Sequence, residues 1–310
     1  MSDPGPVVIG LGLHRRMTPQ ELAPIARFDP VQHDPDDTVV TATVDGIPGS
    51  VSRVVAQAPF SIAVGVVELH QYAGVSGGHK AVAVGCGGRD TIAELHRRER
   101  VLSPGVGIGV LDGNPFRQAI DALGQAAGCR FALVWVAADG HWLFGRPEAV
   151  VAEGLRRIQP WEQVPERAPG MVLCVPPAKA SSLYQASRAA TYMTESPSPA
   201  LIDGGTVVLR AGCPEGLGSE AGFVEALKRC APPWSALLVG PEPRGPGAQR
   251  AVMLARLAQR YRLRVEGCVN PDALRAVGID AHPEVLEHPS TWRVVEHPFQ
   301  RLPQCATPPL

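Results

Sequence analysis

Three histidines and one lysine gather around a glycine-dense stretch of this 310-residue chain. His70 opens the run HQYAGVSGGHKAVAVGCGG, Lys80 lies ten residues further on, His96 follows sixteen residues after that, and His14 sits in an earlier GLHRR segment. Histidine takes and returns a proton near neutral pH, and its neutral imidazole is also a common nickel ligand, so either role suits these residues. A lone lysine in such a turn is a solvated surface group or a phosphate point charge. Glycines at 74, 77, 78, 85, 87 and 88 allow backbone N–H groups to approach a phosphate or another anion closely. The turn is not a P-loop: Gly78-His79-Lys80-Ala81 inserts a histidine and lacks the hydroxyl that would hold magnesium, which disfavours nucleotide triphosphate hydrolysis.

The elements that must position these residues alternate between strand and helix. Residues 7–13 read as a buried strand, and Thr18-Pro-Gln-Glu21 is a capping box that opens a helix over 21–27, leaving His14 in the connecting loop. An Asp-rich connector over 29–58 carries a short strand pair, and 60–68 is a second apolar strand that delivers the chain into the glycine-rich block. A helix over 91–98, capped by Asp90, carries His96; a helix over 116–127, a strand over 130–138 and a helix over 147–158 continue the doubly wound pattern. The proline-rich stretch 159–170 reads as a linker. Beyond it strands at 171–177, 206–212, 235–241 and 263–269 alternate with four helices. The expected architecture is α/β, with two Rossmann-like domains and an active site in the cleft between them. They span 1–165, an N-terminal cofactor-binding domain rejoined by the tail 290–310, and 170–289, a C-terminal closing domain.

Composition narrows the function classes. With 45% hydrophobic and 19% charged residues the chain can bury a core in each domain, and its formal charge of -1 offers no basic footprint for nucleic acid and no polybasic stretch for a membrane. No segment reads as a signal peptide or a membrane span, so a cytoplasmic location and a small or anionic metabolite partner are expected. The seven cysteines never form CxxC pairs, so they read as reduced core residues rather than a zinc or redox site; Cys86, inside the glycine-rich block, stands nearest the chemistry.

Taken together, the motifs resemble the nickel-dependent lactate racemase (LarA) family over nearly the whole chain. GLHRRMT resembles its G-x-HRP-x-T segment, and HQYAGVSGGHKAVAVGCGGRDTIAELH resembles its H-x-F-x-G-x-SGG-x-K block with the following TI-x-x-x-H. LDGNPFRQAI, LYQASRA and CPEGLGSEAGF resemble its GNP, Tyr-Gln-x-x-Lys and E-G-x-G segments. The resemblance implies an isomerase that racemises or epimerises a 2-hydroxy acid with a nickel-pincer nucleotide, pyridinium-3,5-bisthiocarboxylic acid mononucleotide. It implies that Lys80 is the covalent tether, that Ser76, Gly77, Gly78, Tyr184 and Gln185 bind the cofactor, and that His96 is the nickel ligand. His14 and His70 become the acid/base pair on opposite faces of the substrate carbon, and Gln185 and Arg188 reach the substrate. Hydride transfer from carbon with loss of the hydroxyl proton gives a planar 2-oxo acid, which takes hydride back on either face; this avoids forming a carbanion beside a carboxylate. Cofactor-biosynthesis proteins are the implied loading partners.

The chain also departs from the family's pattern. It reads as a short form without the N-terminal segment whose arginine holds the substrate carboxylate. Arg15 and Arg16 are the expected replacements, because a guanidinium binds carboxylate in bidentate fashion. Arg188 stands where the family has lysine, and the closing segment lacks its tryptophan. The extra arginine makes malate or another dicarboxylate the first expected substrate. The competing readings are a non-catalytic carrier of the cofactor and a metal-free phosphate-binding α/β enzyme.

Overall fold

The computed structural model describes residues 5–230 and 232–305. The chain divides into two compact units between Gln159 and Pro160. In the first unit β1 (Val8–Ile9), α1 (Pro19–Leu22), β2 (Val31–Gln32), β3 (Thr38–Val44), β4 (Ile47–Ser52), α2 (Arg53–Gln57) and β5 (Ser61–Val67) lead into the glycine-rich block. That block contains β6 (Leu69–His70), β7 (Ala73–Val75) and α3 (Lys80–Ala83), followed by α4 (Arg89–Leu95), α5 (Arg98–Val101) and β8 (Gly107–Ile108). The unit ends with α6 (Pro115–Ala126), β9 (Cys129–Val136), β10 (His141–Gly145) and α7 (Pro147–Ile158).

The capping box at Thr18 forms as the sequence dictates, with the Thr18 hydroxyl accepting from Glu21 N and the Glu21 carboxylate accepting from Thr18 N. The helix then tightens into a 3-10 turn over Ala23–Phe28, because Pro24 has no N–H to continue an α ladder. Instead of one doubly wound sheet, the first unit holds four small ones: β1 beside β2, the β3–β4 hairpin, β6-β7-β8, and β10-β9-β5. The reason is local. After β5 the chain first folds into the β6–β7 hairpin, then crosses over through α3–α6 to β9, its parallel partner; β9 turns antiparallel into β10 through a short Asp-Gly turn, so parallel pairing stops at two strands. Helices α3, α6 and α7 cover one face of the β10-β9-β5 sheet, where Ala132, Val134 and Val136 are fully buried.

The second unit carries β11 (Trp161–Val164), β12 (Ala168–Cys174), α8 (Leu183–Thr194), β13 (Leu201–Arg210), α9 (Ala221–Arg229), α10 (Ala236–Val239) and α11 (Ala248–Ala258). It closes with β14 (Arg262–Glu266), α12 (Pro271–Arg275), β15 (Asp280–Ala281), β16 (Arg293–Val295) and β17 (Leu302–Cys305). Five strands form a parallel sheet in the order β15-β14-β13-β12-β16, and the central strands are buried along Met171, Val172 and Leu173 and along Val207, Val208 and Leu209.

Two expectations change here. The apolar run at 235–241 is the short helix α10, not a strand; five apolar residues between prolines carry no period that separates the two. The tail beyond 290, expected to return to the first domain, pairs inside the second unit: β16 with β12, and β17 with β11. β11 lies within the stretch 159–170 expected to be a linker and β12 begins inside it; parallel pairing there satisfies backbone groups that would otherwise form a sheet edge.

Asn114 links these elements to the glycine-rich block. It caps α6 by accepting from Arg117 N at 3.1 Å, and its amide donates to the carbonyls of Tyr72 (2.7 Å) and Val110 (2.9 Å), all in a fully buried position. Asn114→Ala removes the cap and strands two buried carbonyls, so urea unfolding should show a loss of about 2–4 kcal/mol.

Candidate active site

The glycine-rich block is shaped by close backbone packing. Gly74 takes φ 74°, and a Cβ there would overlap the Val110 carbonyl oxygen. Gly77 and Gly78, at φ 86° and 60°, turn the chain into α3, whose first residue is Lys80; a Cβ on Gly78 would press on Val151 at 2.8 Å. The Ser76 hydroxyl donates to Val66 O and accepts from Glu68 N, so it ties β5 to the hairpin. The sequence assigns the three glycines to an anion cradle and the resemblance assigns Ser76 to cofactor binding; in the fold all four also pack on the protein's own backbone and core.

Lys80 is half-buried at the start of α3. Its neighbour His79 is 1% exposed, with Nδ1 at 3.1 Å from Asp121 Oδ1 and Nε2 at 3.3 Å from Cys129 O. Arg117 grips the same carboxylate through Nε at 2.9 Å and a second guanidinium nitrogen at 2.8 Å, and it also donates to Val75 O. Burial pushes the Asp121 carboxyl up, but hydrogen bonds from His79 and Arg117 outweigh it and hold the group below the ordinary aspartate range. Asp121 is therefore an acceptor, and both ring nitrogens of His79 face acceptors. Gly124, one turn along α6, leaves the space that the His79 ring fills.

The histidines occupy defined states. His70 ends β6, and its Nδ1 accepts from the backbone N–H groups of Tyr72 (3.3 Å) and Ala73 (3.1 Å), which puts the ring proton on Nε2. His96 caps the end of α4, and its Nδ1 donates to Ile92 O at 2.8 Å, which leaves the lone pair on Nε2. The Tyr72 ring lies between them, 5.8 Å from His70 and 5.9 Å from His96, and Phe116 packs 5.5 Å from both Tyr72 and His96. His14 is exposed in its loop, and that loop docks on the end of α3 through Gly12 N to Gly85 O at 2.8 Å. The structure thus gathers His70 and His96 around one aromatic ring and brings the His14 loop against the Lys80 helix. Tyr72, His79, Arg117 and Asp121 were not singled out from sequence, although the Asn-Pro cap followed by Arg and Asp four apart was a legible helix-face signal.

The arginines divide. The Arg15 guanidinium grips Glu21 with two contacts of 2.8 Å, and this pair lowers the Glu21 pKa to about 2. Arg15 is therefore already bound to a carboxylate of its own chain, while Arg16 is exposed beside it. In the second unit Tyr184, Gln185 and Arg188 are half-buried on the first turns of α8. Tyr184 packs edge-on to Phe223 and under Arg250, and Arg188 donates to the Tyr192 hydroxyl. The Glu215-Gly-Leu-Gly218 loop docks on the start of this helix through Leu183 N to Gly216 O and Tyr184 N to Leu217 O, so the two segments matched separately in sequence form one structural corner.

Residues 6–109 match the model of the lactate racemase N-terminal domain family. The chain is 24% identical over 243 residues to the lactate racemase of Thermoanaerobacterium thermosaccharolyticum, covering 73% of this chain and 56% of that protein. It is 24% identical over 237 residues to the lactate racemase of Lactiplantibacillus plantarum, covering 71% and 55%. It thus spans just over half the length of these curated relatives. The lactate racemase apoprotein structure from T. thermosaccharolyticum superposes with a TM-score of 0.81 at 20% identity, over 96% of this chain and 78% of that one. A Thermotoga maritima protein superposes at 0.71 and 12% identity, over 96% and 85%. Fold and site define a mixed α/β protein with a histidine- and lysine-bearing glycine turn. Residues 6–109 thus match a lactate racemase N-terminal domain, and the chain as a whole shares the fold of the lactate racemase apoprotein.

Cys86 has no part in this chemistry: burial, with the Cys129 thiol nearby, pushes its pKa up to about 12. Native protein at pH 8 should leave Cys86 unmodified by a thiol reagent, and denatured protein should label it fully, as peptide mass mapping would show. Nitrogen-15 NMR of the His70 ring should show the Nε2–H tautomer; a proton on Nδ1 would contradict the two backbone contacts.

Proposed function

We propose that the chain is a nickel-pincer nucleotide-dependent racemase or epimerase of a 2-hydroxy acid, acting in the cytoplasm. The observation that carries this reading is the state of His96. A backbone carbonyl holds its Nδ1–H, the kind of second-shell contact that fixes the tautomer of metal-bound histidines. Among the described residues no three His, Cys, Asp or Glu side chains gather to cage an ion, so His96 would act as a single protein ligand. The residues fit the group in a second respect: Lys80 begins a helix on a buried, rigidly held turn, which suits a tether.

When bound, the nucleotide would supply a hydride acceptor for the substrate carbon. The chain's own residues would do the rest. Lys80 would hold the group covalently, with Gly77 and Gly78 setting the turn, and Tyr184 and Gln185 are the proposed second-unit contacts. With Nδ1 accepting from the two backbone amides, His70 would meet a substrate oxygen as an Nε2–H donor. To take the hydroxyl proton at Nε2 it must carry its proton on Nδ1 instead, which means giving up the Tyr72 and Ala73 amides. His14, exposed on its loop, is the proposed partner for proton exchange on the other face. Arg16 is the carboxylate binder best placed by exposure, since Arg15 is engaged with Glu21. Arg188 is the second, and two such groups favour a dicarboxylate such as malate.

Protein produced together with the cofactor-building enzymes should carry stoichiometric nickel and a mass increment on Lys80, both absent from Lys80→Ala. Chiral chromatography over a panel of 2-hydroxy acids should show racemisation, greatest for a dicarboxylate, falling at least 100-fold in His14→Ala and His70→Ala with the adduct retained. An adduct with no turnover on any substrate would replace this reading with that of a cofactor carrier. An unmodified Lys80 with nickel still bound would overturn the tether.

A further inference from the structure

Among the described residues no helix covers the second face of the β10-β9-β5 sheet. Side chains alternate along its strands: Ala63 and Val67, Ala132 and Val134, and Leu143 turn toward α3, α6 and α7, and their neighbours turn out. The outward residues are Ile62, Val64 and Val66 on β5, Phe131, Leu133 and Trp135 on β9, and Trp142 and Phe144 on β10, with Phe60 at the margin. Register places Val64 beside Leu133 and Leu133 beside Phe144, and Val66 beside Trp135 and Trp135 beside Trp142, so the residues form continuous apolar rows across all three strands. Exposure is large where a soluble surface would be polar: 61% for Val64, 56% for Trp142 and 64% for Phe144. The rings are already ordered against one another, with Phe131 stacked on Phe144 at 5.6 Å, Trp135 against Trp142 at 5.4 Å and Phe60 edge-on to Phe131 at 6.4 Å.

We propose that this face is a homodimer interface on which a second copy of the chain packs sheet against sheet. The amount of surface argues for it. At these exposures the nine side chains present on the order of 700 Å² of apolar area, more than the roughly 300–600 Å² patch usual on a monomer. It approaches the roughly 800 Å² per partner that a stable dimer covers. Chemistry argues for the same occupant. The rows contain no charged or hydrogen-bonding side chain except the indole N–H groups of Trp135 and Trp142, so the matching surface must itself be apolar and broad. An isologous contact supplies such a surface, because each copy presents the same rows. Two twisted sheets stacked about 10 Å apart then interdigitate as the halves of a sandwich do. The exposed charged and histidine residues in or next to these strands in sequence, Glu68, Arg130, Asp139, His141 and Arg146, mix signs and form no lysine and arginine cluster of the kind by which a surface binds anionic lipid.

Sedimentation equilibrium of the full chain should give twice the chain mass at micromolar concentration, and Val64→Glu with Phe144→Glu should halve it. Both substitutions lie on strand faces outside the core, and unchanged far-UV circular dichroism would confirm that the double variant folds. Tryptophan emission should shift red on dilution of the wild-type protein as Trp135 and Trp142 re-enter water. The proposal is overturned by a wild-type chain that stays monomeric at 100-fold higher concentration, or by a dimer that persists in the folded double variant. Monomers that bind vesicles of phosphatidylcholine and phosphatidylglycerol through this face would overturn it as well.

Discussion

One stripe of α6 holds the reactive turn in place. Asn114, Arg117, Asp121 and Gly124 recur at intervals of three, four and three residues, which sets them on one face of the helix. From that face Asn114 binds the Tyr72 carbonyl, Arg117 reaches the Val75 carbonyl, Asp121 binds His79, and Gly124 makes room for the His79 ring. Every link is buried or half-buried, where an unsatisfied partner is costly and a satisfied one is rigid. The segment from His70 to Lys80 is thereby registered against a single rigid rod. Lys80 keeps a fixed position although its own helix is only four residues long.

The same constraint explains how a glycine-dense stretch stays ordered. Its glycines are sites where another part of the chain passes too close for a Cβ, as at Gly74 against Val110 and Gly78 against Val151. The histidines inherit that order. His70 is fixed by the amides of the turn it opens, and His96 by the carbonyl one turn back on α4. Opposite tautomers follow, a donor at one Nε2 and a lone pair at the other, and the Tyr72 ring separates the two. The contrast fits the proposed division of labour between His70 at the substrate and His96 at the metal.

Much of the site was legible because its parts are close in sequence. His70, Lys80 and His96 fall within 27 residues, and the Thr18 capping box and the Asn114-Pro115 helix start each form from neighbouring residues. What the sequence did not show depends on partners elsewhere in the fold. Ser76 ties β5 to the hairpin, and Val151 of α7 lies where a Cβ on Gly78 would be. Arg15 looks available until Glu21, six residues on, takes its guanidinium. His79, one residue before Lys80, looked like an interruption of a P-loop; its role rests on Asp121, 42 residues away.

The amino-acid sequence alone determined the residue types, their spacing in the glycine-rich block and most of the longer strands and helices, because local propensity, capping and periodicity act over a few residues. Tertiary structure decided which histidine nitrogen carries the proton, which arginine is occupied, where the tail pairs, and that one sheet face stays uncovered. Each of these depends on which backbone carbonyl, carboxylate or strand lies opposite, and that opposition is set only when segments tens of residues apart pack together.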